Sequence, residues 1–147
     1  MDKKREFDIT EFWVINKGGL PLFCFSPRKD LDPALVGGFF SAIQNFVKEL
    51  ESDSQSEGDY IQSISFGDNY YIFRFNNKFN LFFISKSPKK IKIKKINSHL
   101  QNLESMFIEQ YHNKIADFDG NVTNFDKFLV IIDKYFQDNF AKLKGMW

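Results

Sequence analysis

The sequence predicts an α+β domain in which a five-stranded antiparallel sheet carries one helix on one face and two on the other. Three observations carry that expectation. A hydrophobic hairpin opens the fold between Phe12 and Phe25, one long apolar helix pattern separates it from three further strand patterns, and two helical stripes follow Pro88. The 147 residues suit one domain, read as 11–147 behind a flexible stretch at 1–10 that is at most a short addition to the first strand.

The elements follow in order. Phe12-Trp13-Val14-Ile15 is continuously apolar, Asn16-Lys17-Gly18-Gly19 supplies turn residues, and Leu20 to Phe25 is apolar again. Pro21 cannot donate to a ladder, which puts the second strand at a sheet edge. Asp32-Pro33 reads as an N-cap followed by proline at the first helical position. Leu35, Phe39, Ile43, Phe46 and Leu50 then recur at helical spacing, widened by Val36, Phe40 and Val47, so this helix is expected to lie across the sheet on that stripe.

Residues Glu49 to Asp59, rich in acids, Ser, Gln and Gly, read as a solvated loop. Strand patterns at Tyr60 to Phe66, Tyr70 to Phe75 and Phe79 to Ser85 are separated by Gly67-Asp68-Asn69 and Asn76-Asn77-Lys78. The first and fifth strands are apolar on both faces and belong in the middle of the sheet. The second, with Pro21, and the third, with its serines, belong at the margins, giving the spatial order 2-1-5-4-3. Ile96, Leu100, Leu103, Phe107 and Tyr111 make the second helical stripe. After a break at Asp119-Gly120-Asn121, Phe125, Phe128, Leu129, Ile132, Phe136 and Phe140 make the third, with Thr123 and Asp126 as a weak capping box.

Composition bounds the function. Lys and Arg total 20 against 19 Asp and Glu, so net charge gives no reason to expect nucleic acid as a partner. The single Cys24 cannot form an internal disulfide, and the charged N-terminus lacks the apolar core of a signal peptide. No apolar run approaches the roughly 18 to 20 residues needed to cross a bilayer. The expectation is a cytoplasmic protein, at most peripheral to membranes. The 19 Phe are spread over nearly every element, so their first use is filling the core.

The order ββαβββαα, the opening segment Phe12 to Phe23 with its polar turn and Gly18-Gly19, and the small-then-Phe-rich stretch Asp32 to Phe46 together resemble the longin domain. The resemblance covers roughly residues 11 to 143 and is one of pattern, since the family has no invariant motif. It implies a stand-alone longin module, related to the shorter roadblock domain, without the coiled-coil heptads and anchor of longin SNAREs. It also implies a non-enzymatic interaction domain, with no cofactor, that serves small Ras-like GTPases or the adaptor and tether complexes of vesicle traffic. The partners so implied are a second longin or roadblock subunit, in a homodimer or heterodimer, and a small Ras-like GTPase. The competing reading is a small-molecule sensor with a Phe-lined pocket.

Two candidate surfaces emerge from the residues. Gly37 and Gly38 each cost roughly 1 kcal/mol in a helix, which points to close packing against a strand or a partner. The strand holding Ile61, Ile64 and Phe66 has an unguarded edge that could add a strand from a second copy. Lys86, Lys89, Lys90, Lys92, Lys94 and Lys95, interleaved with Ile91 and Ile93, form a basic segment that is a solvated connection, a site for an acidic protein, or a membrane-surface contact. Catalytic readings lack support: His99 and His112 are not at ligand spacing, Cys24 sits in an apolar strand, and no phosphate-binding glycine motif is present. The sequon Asn121-Val122-Thr123 is expected by chance.

Overall fold

The computed structural model describes residues 8–26, 32–50, 61–116 and 125–145. Strands β1 (Glu11–Asn16), β2 (Pro21–Phe25), β3 (Ser63–Phe66), β4 (Asn69–Asn76) and β5 (Leu81–Pro88) form one antiparallel sheet in the order β2-β1-β5-β4-β3. Helix α1 (Pro33–Leu50) follows the hairpin, and α2 (Ile93–Ala116) and α3 (Phe128–Gly145) follow the sheet. The expected fold class and strand order are those observed. Two-sided burial explains the order, because Phe12 and Val14 of β1 enter one core and Trp13 and Ile15 enter the other. Pro21 pairs with Ile15 on the outermost strand, and the register slips between Val14 and Ile15 to accommodate it.

The larger core lies between the sheet and the pair α2 and α3. Phe107 stacks on Phe125 at a centroid distance of 5.6 Å and meets Phe128 edge-on at 5.1 Å, while Phe23 meets Phe128 edge-on at 5.3 Å. Such offset and T-shaped pairs stabilise beyond the area they bury. The stripe Ile96, Leu100, Leu103, Phe107 and Tyr111 is fully on this core, as its spacing predicts. In the last stripe Phe125 precedes α3, and Leu129 points to solvent with 49% of its surface exposed. The Asp119-Gly120-Asn121 break, the sequon and Thr123 of the capping box lie outside the described residues, as does the side chain of Phe140. The acidic loop lies outside them from Glu51 onward, and Tyr60 likewise.

Residues 8–10, assigned from the sequence to a frayed end, are held in place; residues 1–7 are outside the description. Ile9 is buried in the larger core, and Thr10 donates both its N–H and its hydroxyl to the Lys86 carbonyl. The Asp8 carboxylate meets His99 Nε2 at 3.0 Å and Lys95 Nζ at 3.1 Å. On its other side His99 Nδ1 lies 2.7 Å from the Tyr135 hydroxyl, which also accepts from Asn102 Nδ2 at 3.1 Å. All partners are satisfied when Nε2–H donates to Asp8 and the tyrosine O–H donates to Nδ1, a tautomer assigned from the network. The cluster ties the start of β1 to α2 and α3. A short, mostly charged lead carries no periodic signal, so the sequence could not show it.

Burial raises the Tyr135 hydroxyl above its ordinary value of 10.0; the Asn102 hydrogen bond lowers it and the Asp8 charge raises it. Burial likewise raises Tyr111, with the Asp126 charge adding to the rise and a hydrogen bond to the Phe128 backbone opposing it. A hydroxyl whose folded pKa is raised holds its proton more tightly in the native state, so its stabilisation is complete below the unfolded value of about 10 and is lost as pH climbs through the folded one. Melting temperature is therefore expected to fall above about pH 10, and Tyr135→Phe to lessen that fall. Circular-dichroism melts across the alkaline range check it; identical alkaline slopes for the variant and the native chain would contradict the assignment.

Candidate interaction surface

Helix α1 starts where the sequence puts it. Asp32 Oδ1 accepts from the Ala34 N–H at 3.1 Å, its carbonyl accepts from Val36 N–H, and Pro33 is the first helical residue. Seating on the sheet is set by glycine against glycine. A Cβ on Gly37 would overlap the Gly19 carbonyl oxygen and touch Pro21 Cδ at 3.3 Å, and Gly19 itself has a φ of +95° with Gly37 O only 3.2 Å from its own would-be Cβ. Gly37 thus packs against the β1–β2 turn and Pro21 of β2. Gly38 does not: a Cβ there meets nothing within 4 Å, and the residue faces outward.

The face that α1 gives the sheet differs from the expected one. Gly37, Phe40 and Gln44 are buried, with Phe40 edge-on to Phe73 at 5.3 Å and beside Tyr71 at 5.8 Å. Leu35, Phe39 and Phe46, assigned from the sequence to the buried stripe, are 73%, 52% and 62% exposed; the side chains of Val47 and Leu50 are outside the description. At about 100° per residue, Leu35, Gly38, Phe39, Ala42 and Phe46 share one face of the helix, turned away from Phe40 and Gln44. The sequence offered two apolar arcs, one continuous and one interrupted by Gly37 and Gln44, and the continuous one was the natural choice for the core. Close backbone seating at Gly37 and the need of Ile61 for Gln44 decide it the other way.

Gln44 is a built contact. Its Oε1 accepts the Ile61 N–H at 2.8 Å and its Nε2 donates to the Ile61 carbonyl at 3.3 Å, so one primary amide satisfies both backbone groups of the residue that leads into β3. The regular strand begins at Ser63 rather than near Tyr60. Phe73 N–H donates to the Gln62 carbonyl, and Phe66 faces Asn69 across the Gly67-Asp68 turn. By the alternation of an antiparallel ladder, Gln62, Ile64 and Phe66 direct their backbone groups at β4, whereas Ile61, Ser63 and Ser65 direct theirs outward. Gln44 covers Ile61. The outward groups of Ser63 and Ser65 have no partner among the described residues.

Ile61 and Ile64 are half-buried against the core beneath α1, while Phe66, edge-on to Tyr71 at 5.9 Å, is 51% exposed. The smaller core under α1 is thus completed from the edge strand by Ile61 and Ile64. An exposed apolar helix face and an open strand edge are features that soluble monomers seldom leave uncovered.

The six lysines separate into two groups. Lys86 belongs to β5 and pairs at 3.2 Å with the buried Glu11 carboxylate, its ammonium also 6.0 Å from the Tyr71 ring centre. Lys95 pairs with Asp8. Lys89, Lys90, Lys92 and Lys94 are exposed on the turn from β5 into α2, with Lys89 over the Tyr70 ring at 5.7 Å.

Among the described residues no group of three or more His, Cys, Asp or Glu could hold a metal ion, and no helix is long and apolar enough to cross a membrane. Cys24 is half-buried beside the smaller core.

No protein-family model matches the chain, and no curated protein matches it in sequence. Solved structures do. A chain of the mammalian SRP receptor is similar with a TM-score of 0.54 at 14% identity, over 91% of this chain and 98% of that one. The roadblock/LC7 domain from Streptomyces avermitilis is similar with a TM-score of 0.52 at 7% identity, over 74% of this chain and 87% of that one. The fold is of the longin and roadblock type. Myxococcus xanthus MglB, with a TM-score of 0.48 at 7% identity, covers 69% of this chain and 85% of its own. At such identities the likeness shows the longin and roadblock fold alone; the surface chemistry belongs to this chain.

Proposed function

We propose that the chain is a single, non-enzymatic longin-type interaction module of the cytoplasm. It pairs through the outer face of α1 and the edge of β3 with a second domain of this type, first of all another copy of itself. The observation that carries the reading is the continuous apolar face Leu35, Phe39, Ala42 and Phe46, with Gly38 allowing close approach, on the helix whose Gln44 is anchored to the chain leading into the open edge at Ser63 and Ser65. A two-fold axis beside β3 would continue one sheet into the next and bring two α1 helices together, covering both features in one step.

The longin and roadblock fold supports a role as subunit or scaffold in small Ras-like GTPase regulation, or in an adaptor or tether complex of vesicle traffic. Capture of binding proteins from an extract of the native cell, once with GDP and once with a non-hydrolysable GTP analogue, is expected to recover a small GTPase in one nucleotide state only. Recovery of none in either state would contradict the GTPase role. The sensor reading has less behind it, since the phenylalanines that would line a pocket pack ring against ring around Phe107 and Phe128.

A further inference from the structure

We infer that the turn from β5 into α2 is a docking surface for an anionic lipid membrane. Lys86 and Lys95 are neutralised by Glu11 and Asp8, so they leave the positive field to Lys89, Lys92 and Lys94. Among the described residues the fold brings one further acid to this turn, the exposed Asp68, whose backbone carbonyl accepts the Lys89 N–H. Among the described residues Lys89, Lys92 and Lys94 therefore outnumber the acid on this turn. Ile93 sits among them with 41% of its surface exposed, and Ile91 anchors the turn on the larger core.

The arrangement opposes helix stability. Lys92 accepts the first hydrogen bonds of α2 and Lys94 and Lys95 lie in its first turn, which holds no acidic residue, so like charges crowd the positive end of a 24-residue helix. An anion bound at the turn would relieve that repulsion. The choice of cation bears on which anion. All three are lysine, a compact point charge, and none is arginine, whose planar fork is suited to paired recognition of protein carboxylates. Lysine is also depleted at protein–protein contacts. Diffuse headgroup charge asks for no fixed geometry, and an aliphatic residue set among lysines can enter the headgroup boundary while the ammoniums stay in it.

Because α2 packs on the opposite sheet face from α1, the turn stays accessible whether or not the pairing proposed above occurs.

The test is co-sedimentation of the full chain with phosphatidylcholine vesicles, with and without phosphatidylserine, at low and high salt. Binding is expected only to the phosphatidylserine vesicles, weakening as salt rises. At about 1 kcal/mol per lysine near an anionic surface, the triple variant Lys89→Glu, Lys92→Glu and Lys94→Glu should partition at least about a hundredfold less. Ile93→Ser should weaken binding several-fold while leaving the salt dependence intact. Unfolding does not confound the triple variant, since acids at Lys92 and Lys94 favour the start of α2; an unchanged melt confirms it. The inference is overturned if the native chain ignores phosphatidylserine vesicles at low salt. It is equally overturned if the triple variant binds like the native chain, or if the chain binds polyglutamate but no vesicle, which would assign the turn to an acidic protein.

Discussion

Gly37→Ala is expected to destabilise the domain by about 3 kcal/mol or more, at the upper end of what overpacking costs, whereas Gly38→Ala should leave it as stable or up to about 1 kcal/mol more so. The two glycines are adjacent, and both substitutions relieve the same helix-propensity penalty. They differ in what the added methyl meets. At Gly37 it runs into the Gly19 carbonyl, which cannot rotate away because Gly19 holds a left-handed φ at a site so close to α1 that even a Cβ on Gly19 would meet Ser41 Cβ at 3.0 Å and Gly37 O at 3.2 Å. Relief requires α1 to lift from the hairpin, which loosens Phe40 from Phe73 and Tyr71. At Gly38 the methyl enters open space. Urea unfolding of both variants measures the difference, and equal midpoints would show that α1 does not seat on the hairpin through Gly37.

The second large effect concerns association. Phe39→Glu combined with Phe46→Glu is expected to abolish self-pairing while leaving the melting temperature of the monomer unchanged. Both side chains are more than half exposed, so neither contributes much to the fold, and two carboxylates per copy on an apolar face would have to be buried unpaired if the dimer formed. A weakening of at least about a thousandfold follows from the several kcal/mol such burial costs. Sedimentation at increasing concentration checks it; an undiminished dimer in the variant would move the interface elsewhere. Ile64 is a poorer place for such a charge, because its side chain also helps cover the core beneath α1.

The sheet was legible in the sequence because its order follows from burial. Strands apolar on both sides had to be central, and Pro21 and the serines of β3 had to stand at the margins; the turns at Gly18-Gly19 and Gly67-Asp68 fixed the hairpins. The second helix was legible too, since Ile96 to Tyr111 offers a single apolar arc.

The orientation of α1 was not. A helix with two apolar arcs gives periodicity no way to choose between core and partner, and the deciding contacts join residues far apart in the chain, Gly37 with Gly19 and Gln44 with Ile61. The lysine segment was visible as a charge run, but its division was hidden, because the acids that neutralise Lys86 and Lys95 come from positions 11 and 8, next to them only in the fold. The clamp of Asp8, His99 and Tyr135 was missed for the same reason.

The central claim, that β3 joins a second copy edge to edge, is tested most directly by amide hydrogen exchange at Ser63 and Ser65, followed as the chain is concentrated. Their N–H groups point away from β4, whereas those of Ile64 and Phe66 point toward it and report on the fold itself. The expected result is that Ser63 and Ser65 become protected in step with a rise in solution mass from 17.3 kDa to twice that value, while Ile64 and Phe66 are protected throughout. Rapid exchange at Ser63 and Ser65 in a sample whose mass has doubled, or a mass that stays at 17.3 kDa at every concentration, would contradict it.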